Sequence, residues 1–221
     1  MAPTPEQARL IARLKSDEEA HPLPIHNEAG GLAGYLTPVT HRLAQSTTVQ
    51  EALFRWRKAH LTSFLTVFTP SVEKTKAFLL NYSLPDPARI LFLVSELDSR
   101  AIGNIGLCNI EPVSAELDNV IRGEAPKCAG LMPGAQRALL DWAFSALKVP
   151  LVYLNVLADN ARAVRAYRNV GFVEVARTPL TRQPFEEGYR LVPASAATGD
   201  AELARMEISS ANFYRNFRIA I

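Results

Sequence analysis

The sequence predicts a single α/β domain: a central mixed, mostly antiparallel sheet of about six to seven strands, flanked by helices. Three observations carry this prediction. Residues 90–95 (ILFLVS) and 151–157 (LVYLNVL) are short continuous apolar runs of the kind buried strands use. Residues 133–148 carry an apolar stripe at helical spacing. Strands cluster three in a row before that helix, which rules out a repeating βαβ series.

Each element follows in chain order. Residues 5–20 form an amphipathic helix with Ala8, Leu10, Ile11 and Leu14 on its apolar side. Residues 21–35, rich in Pro and Gly, read as a connection or an irregular strand. A first strand spans 35–43. Thr47 and Thr48 then cap a helix that runs to about His60, with Leu53, Phe54 and Trp56 as its apolar surface. Thr69-Pro70-Ser71, with Glu73 in the first turn, starts a second helix ending near Tyr82. Strands at 90–95 and 101–110 are joined by the turn LDSR, and 114–121 makes a third. Pro133 fits the first position of the next helix, whose core stripe is Ala135, Leu139, Trp142, Ala143 and Ala146. A strand–helix unit follows over 151–171. Residues 172–177 begin another strand, and a polar segment through Asp200 leads to a last strand at 203–209. The domain organisation is then an extension over 1–35, one domain over 36–210 and a tail over 211–221.

Composition bounds the function classes. The 221 residues are 48% hydrophobic and 21% charged, the balance of an ordinary globular chain. At this length folding buries about 70% of the unfolded surface, so no staple is required. The net charge of +2 leaves no footprint for nucleic acid, and no basic run or long apolar run marks a membrane partner. The first twenty residues are too charged for a signal peptide, and the expected location is the cytoplasm. Cys108 and Cys128 fit reduced thiols there, Cys108 as a small core residue. His21 and His26 are offset by five and separated by prolines, so no metal site is expected.

The stretch LVYLNVLADNARAVRAYRNVGF, residues 151–172, holds the strongest functional signal. Asp159 or Asn160 caps a helix and Gly171 stops it. Val164, Tyr167 and Val170 recur at i, i+3 and i+6, with Ala163 one turn before Tyr167. That spacing turns a phenol inward beside a strand end. A buried tyrosine hydroxyl needs a partner, so Tyr167 is either tied to backbone or aimed into a site.

Asn160, Ala163, Tyr167, Gly171 and Phe172 match the pattern Asn-x-x-Ala-x-x-x-Tyr-x-x-x-Gly-Phe, and the chain thereby resembles the GNAT superfamily of N-acetyltransferases over roughly residues 36–210. The resemblance implies a co-substrate, acetyl-CoA or another acyl-CoA, and direct transfer in a ternary complex. It implies that Asn160 contacts the CoA arm, with Asn155 and Ala163 alongside. Tyr167 then lies near the CoA sulfur as general acid. The family's pyrophosphate loop falls on KCAGLMPGAQ, where Lys127 replaces the usual Arg or Gln, Gly130 matches the first glycine and Met132 replaces a second small residue. Amides of the loop and helix start, through Leu131, Gly134 and Ala135, would receive phosphate, since unpaired helix N-terminal amides and the helix dipole favour anions. Val120, Ile121 and Arg122 lie on the strand that splays to admit pantetheine, where a backbone amide suits the oxyanion.

Amide formation also needs a base for the attacking amine. Glu116, Asp118 and Arg122 alternate with Leu117, Asn119 and Ile121, so the charged set can share one strand face. Glu116 is favoured as base, with Asp118 and Arg122 as substrate contacts; Asn119 joins them only if a bulge re-aims it. A solvated sheet face with a surface ion pair to Arg122 is the competing reading. Arg55, Arg57 and Lys58 read as a solvated helix face, or as contacts to an anionic acceptor, because the family's first helices wall the acceptor cleft. The expected activity is N-acetylation of a small-molecule primary amine, a nucleotide-linked amino sugar being one such acceptor. Acetylation of protein N-termini and a non-catalytic acyl-CoA-binding domain are the alternatives, and a homodimer is left open.

Overall fold

The computed structural model describes residues 1–217. In chain order the elements are α1 (Pro5–Lys15), β1 (Leu23–His26), β2 (Leu32–Pro38), α2 (His41–Gln45), α3 (Thr47–Ala59), β3 (Thr66–Phe68) and α4 (Val72–Phe78). Then come β4 (Ile90–Glu96), β5 (Ala101–Cys108), β6 (Ser114–Arg122), α5 (Leu131–Ser145), β7 (Leu151–Leu157) and α6 (Ala161–Asn169). The hairpin β8 (Val173–Phe185) and β9 (Gly188–Pro193), then β10 (Ala201–Ser209) and α7 (Ser210–Phe217), complete the fold. A short 3-10 turn, Leu61–Ser63, precedes β3, and a π turn, Leu79–Ser83, extends α4.

The strands form one ten-stranded sheet in the order β1-β2-β4-β5-β6-β7-β10-β8-β9-β3. Three more strands are present than the patterning predicts. β1 contains Pro24, which a sheet tolerates at its edge because no neighbour needs the missing N–H. β3 is only three residues long. β9 lies in the polar segment, whose half-exposed positions hide the alternation. Residues 1–35 are built into the same body: Ile11 and Leu14 of α1 join the main core and β1 pairs with β2, so residue 35 falls inside a strand. At the other end Phe213 of α7 is buried, while residues 218–221 of the expected tail lie outside the described residues.

Two cores lie on opposite faces of the sheet. In β4, Ile90, Phe92 and Val94 pack into the larger core with Leu139, Leu140 and Ala143 of α5. Leu91 and Leu93 pack into the smaller one with Leu53 and Trp56 of α3. The strict alternation along one strand fixes this division. Helix α5 therefore covers one face and α3 the other, which determines where a ligand can enter.

Lys15 ties the first helix to the π turn. Its ammonium donates to the carbonyls of Ser83, Leu84 and Asp86 at 2.9, 3.0 and 2.6 Å. Burial pushes it down to about 8 from 10.5. Between those values the unfolded chain binds the extra proton, so this residue makes stability rise with pH across that window. The urea midpoint of the wild type, minus that of Lys15→Met, should rise from pH 8 to about pH 10. A flat or falling difference would contradict the assignment.

Candidate active site

The site begins with a split in the sheet. β6 and β7 run parallel and pair only at Ser114–Leu151, Ala115–Val152 and Glu116–Tyr153. Beyond Glu116 they separate, and the edges of both strands are left facing a gap. A cleft of about 700 Å³ occupies it, lined from the α5 face by Met132, Gln136, Asn160, Ala163 and Tyr167. From the α3 face Arg57, His60 and residues 63–66 line it. The opening thus joins the two faces of the sheet.

A bulge on β6 sets which side chains look into it. Gly106 pairs with Asp118 and Asn104 with Ile121, so one extra residue is inserted, and Asn119 takes the left-handed conformation at φ 52°. The consequence is visible in the packing. Leu117, before the bulge, joins the larger core, whereas Ile121, four residues later, joins the smaller one. Glu116 and Asp118 therefore share the α3 face, but Arg122 falls out of phase with them. The expectation that all three share one face is corrected by this insertion. The bulge is held by Asn104, 2% exposed, whose Nδ2 donates to the Asn119 carbonyl at 2.6 Å.

Glu116 is gripped by two amides. Asn109 Nδ2 donates to one carboxylate oxygen at 2.7 Å and Asn155 Nδ2 to the other at 2.8 Å. Asn155, expected to bind CoA, instead orients this carboxylate from the same face. Asp118 accepts from Arg89 Nη1 at 2.7 Å and from the backbone and side-chain nitrogens of Asn119 at 2.8 and 2.7 Å. Its ion-pair partner is Arg89, not Arg122. Cys108 is buried opposite Glu116, and burial together with Asp118 and Glu116 pushes its thiol up, so it stays an unreactive SH.

Tyr167 enters from the other face. It packs against the larger core, and its ring meets Phe172 edge-on at 6.0 Å. Asn160 caps the helix beneath it, its side chain accepting from the Ala163 amide at 3.2 Å, and Gly171 leaves the helix at φ 97°. The cap consumes the Asn160 side-chain oxygen and leaves its NH2 for the cleft. Among the described residues the Tyr167 hydroxyl makes no hydrogen bond, although the residue lines the cleft. Burial, then the Asp118 charge, pushes its pKa above the ordinary value of 10. The phenol therefore keeps its proton at every ordinary working pH.

The loop before α5 offers donors of a different kind. Gly130 caps the helix at φ 81° with open space where a Cβ would stand. Gly134 N bonds to Gly130 O at 2.9 Å, so Gly134 and Ala135 already lie inside the helical ladder. The helix starts at Leu131, so Pro133 is its third residue rather than its first, and its missing N–H costs one donor of the first turn. The amides of Gly130, Leu131 and Met132 remain, donating to no acceptor among the described residues, at the end of a helix whose dipole favours anions. Leu131 and Ala135 side chains are core, at 1% and 0% exposure. Gly134 serves packing: a Cβ there would meet Ile25 and the His26 carbonyl at 2.8 and 2.9 Å. Lys127 does not extend toward the loop; its ammonium pairs with Asp98 at 2.5 Å.

Of the expected site residues, Glu116, Asp118, Asn119, Val120, Ile121, Arg122, Met132, Asn155, Asn160, Ala163 and Tyr167 line one cleft. Lys127, Gly130, Leu131, Gly134 and Ala135 lie outside its lining. Sequence reasoning missed Asn109 and Arg89, which position the two carboxylates; neither follows a readable spacing. Gln136 was missed as well. It is 3% exposed, lines the cleft and has a buried side-chain oxygen without a partner.

Residues 38–173, which hold the split strands, the bulge and the helix of Tyr167, match the family model described as an acetyltransferase (GNAT) domain. The chain belongs to the GNAT family. The spermidine N(1)-acetyltransferase of Vibrio cholerae is 34% identical over 102 residues, covering 43% of this chain and 56% of that protein. The chain thus spans little more than half the length of this curated relative. A structure of Vibrio cholerae spermidine N-acetyltransferase in complex with CoA and spermine superimposes with a TM-score of 0.56 at 22% identity, covering 74% of this chain and 89% of the other. A dodecameric structure of the enzyme from the same organism gives 0.55 at 22% identity, over 77% and 94%. These likenesses show a shared GNAT fold, and the extra strands β1, β3 and β9 are additions to the sequence-derived count. No helix among the described residues is long and apolar enough to cross a membrane.

Proposed function

We propose that this GNAT chain transfers an acetyl group from acetyl-CoA to the primary amine of a small molecule, within a ternary complex. One observation carries the reading: a carboxylate and an unpartnered phenol face the same sheet split from opposite faces. Acetyl-CoA supplies the activated thioester. Gly130, Leu131 and Met132 present amides to its diphosphate, and the open edges of β6 and β7 pair with its amide-bearing arm. Glu116, held by Asn109 and Asn155, accepts a proton from the incoming ammonium on the α3 face. Backbone amides of β6 freed by the bulge, near Val120, stabilise the developing oxyanion. Tyr167 offers its proton to the departing thiolate from the α5 face.

The test is a thiol-release assay with acetyl-CoA and a panel of amines, run beside calorimetric titration of acetyl-CoA alone. Amine-dependent thiol release with saturable acetyl-CoA binding is expected. Saturable binding without turnover on any amine would leave an acyl-CoA-binding domain, and absence of both would remove the reading.

A further inference from the structure

The charge pattern of the α3 face differs from what a polyamine would require. Asp118 is ion-paired with Arg89 at 2.7 Å, and Asp86 approaches the same guanidinium at 3.8 Å. Glu116 is bonded to neutral amides and has no cationic partner among the described ion pairs, so its charge is uncompensated there. The same cleft is lined by Arg57, a cation with no carboxylate partner among the described ion pairs. Its guanidinium carbon lies over the Phe64 ring, 3.3 Å from the centroid, and Nη2 donates to the Thr66 carbonyl at 2.9 Å. Its Nε is buried without any acceptor. Burial pushes Arg57 down to about 10, so it is still charged at neutral pH. A cation fixed in place, partly desolvated and left with unused donors is stabilised when a ligand brings an anion.

We infer that the acceptor is a zwitterionic small amine, whose carboxylate or phosphate is held by Arg57 while its ammonium meets Glu116. This rests on the transferase reading and names its substrate class. The two side chains line one cleft, and neither makes an ion pair among the described residues, although the Asp118 charge acts on Arg57 at longer range. A polyamine would instead press a second ammonium toward Arg57, and like charges brought together in a partly dry cleft discriminate against it. His60, whose ring nitrogen lies 3.3 Å from the Arg122 carbonyl, adds no negative charge to this wall.

The experiment uses amines of matched length whose far end is methyl, ammonium, carboxylate or phosphate, with spermidine alongside. At saturating acetyl-CoA, kcat/KM for a carboxylate or phosphate amine should exceed that for the methyl amine by about 10-fold or more. The carboxylate and phosphate arms decide which anion fits. Arg57→Gln should collapse that ratio toward unity, chiefly through KM, and Arg57→Lys should restore part of it. The same amines are titrated into CoA-loaded wild-type protein, which needs neither turnover nor a folded variant. Preferential binding of an anionic amine without turnover would uphold the ligand class and the Arg57 contact while sinking the transferase reading on which its role as acceptor rests. Turnover that favours spermidine or the diammonium amine, or a ratio near unity in the wild type, would overturn this inference and leave transfer standing. Binding of no amine would also overturn it.

Discussion

Tyr167→Phe should lower kcat by about 100-fold or more while leaving acetyl-CoA affinity almost unchanged. The substitution removes one hydroxyl that bonds to nothing among the described residues, so no partner there is orphaned and the edge-on contact with Phe172 survives. Stability should therefore hold, and the loss should appear in the chemical step rather than in KM. The pH behaviour follows from sign. Burial and the Asp118 charge raise the phenol above its ordinary range, so the acid form persists as pH rises through 10. The wild-type rate should show no alkaline decline from loss of this proton below that pH. Unchanged turnover in Tyr167→Phe would remove the acid role.

Glu116→Gln should cost about 100- to 1,000-fold in kcat/KM, because the amide cannot accept the amine's proton. The two neighbours make this variant informative. Asn109 and Asn155 both donate NH2 groups to the carboxylate. A glutamine presents one oxygen and one NH2, so one donor is left facing another donor. Some loss of positioning should accompany the loss of base, and Asn155→Ala should show a smaller loss of the same kind. If Glu116→Gln turns over normally, Asp118 does not inherit the role easily, since Arg89 holds it at 2.7 Å. The base would then be solvent.

Much of the fold was legible because its strands and helices carry strong periods. Residues 90–95 read as a buried strand since α5 covers one face and α3 the other, whereas 151–157 is buried through Val152, Leu154 and Val156 on the larger-core side and half-buried at Leu151, Tyr153 and Asn155. The helix of Tyr167 was legible to its cap and its stop, Asn160 and Gly171, because both jobs need particular residue types. What failed to show had physical reasons. Pro24 argues against a strand unless the strand lies at an edge, which a sequence does not announce. The bulge at Asn119 has no spacing signature, yet it moves Arg122 to the other phase. Long-range partners are invisible to spacing altogether. Arg89 reaches Asp118 across 29 positions, and Asn155 reaches Glu116 across 39. The segment read as a pyrophosphate loop does open a helix, but that helix starts at Leu131, so Pro133 lies inside the first turn and removes one donor.

A crystal structure of the protein soaked with CoA tests the central claim most directly. The account predicts the diphosphate against the amides of Gly130, Leu131 and Met132, the arm threaded between β6 and β7, and sulfur within hydrogen-bond reach of the Tyr167 hydroxyl. CoA bound elsewhere, or a split filled by the Met132 side chain at saturating CoA, would contradict it.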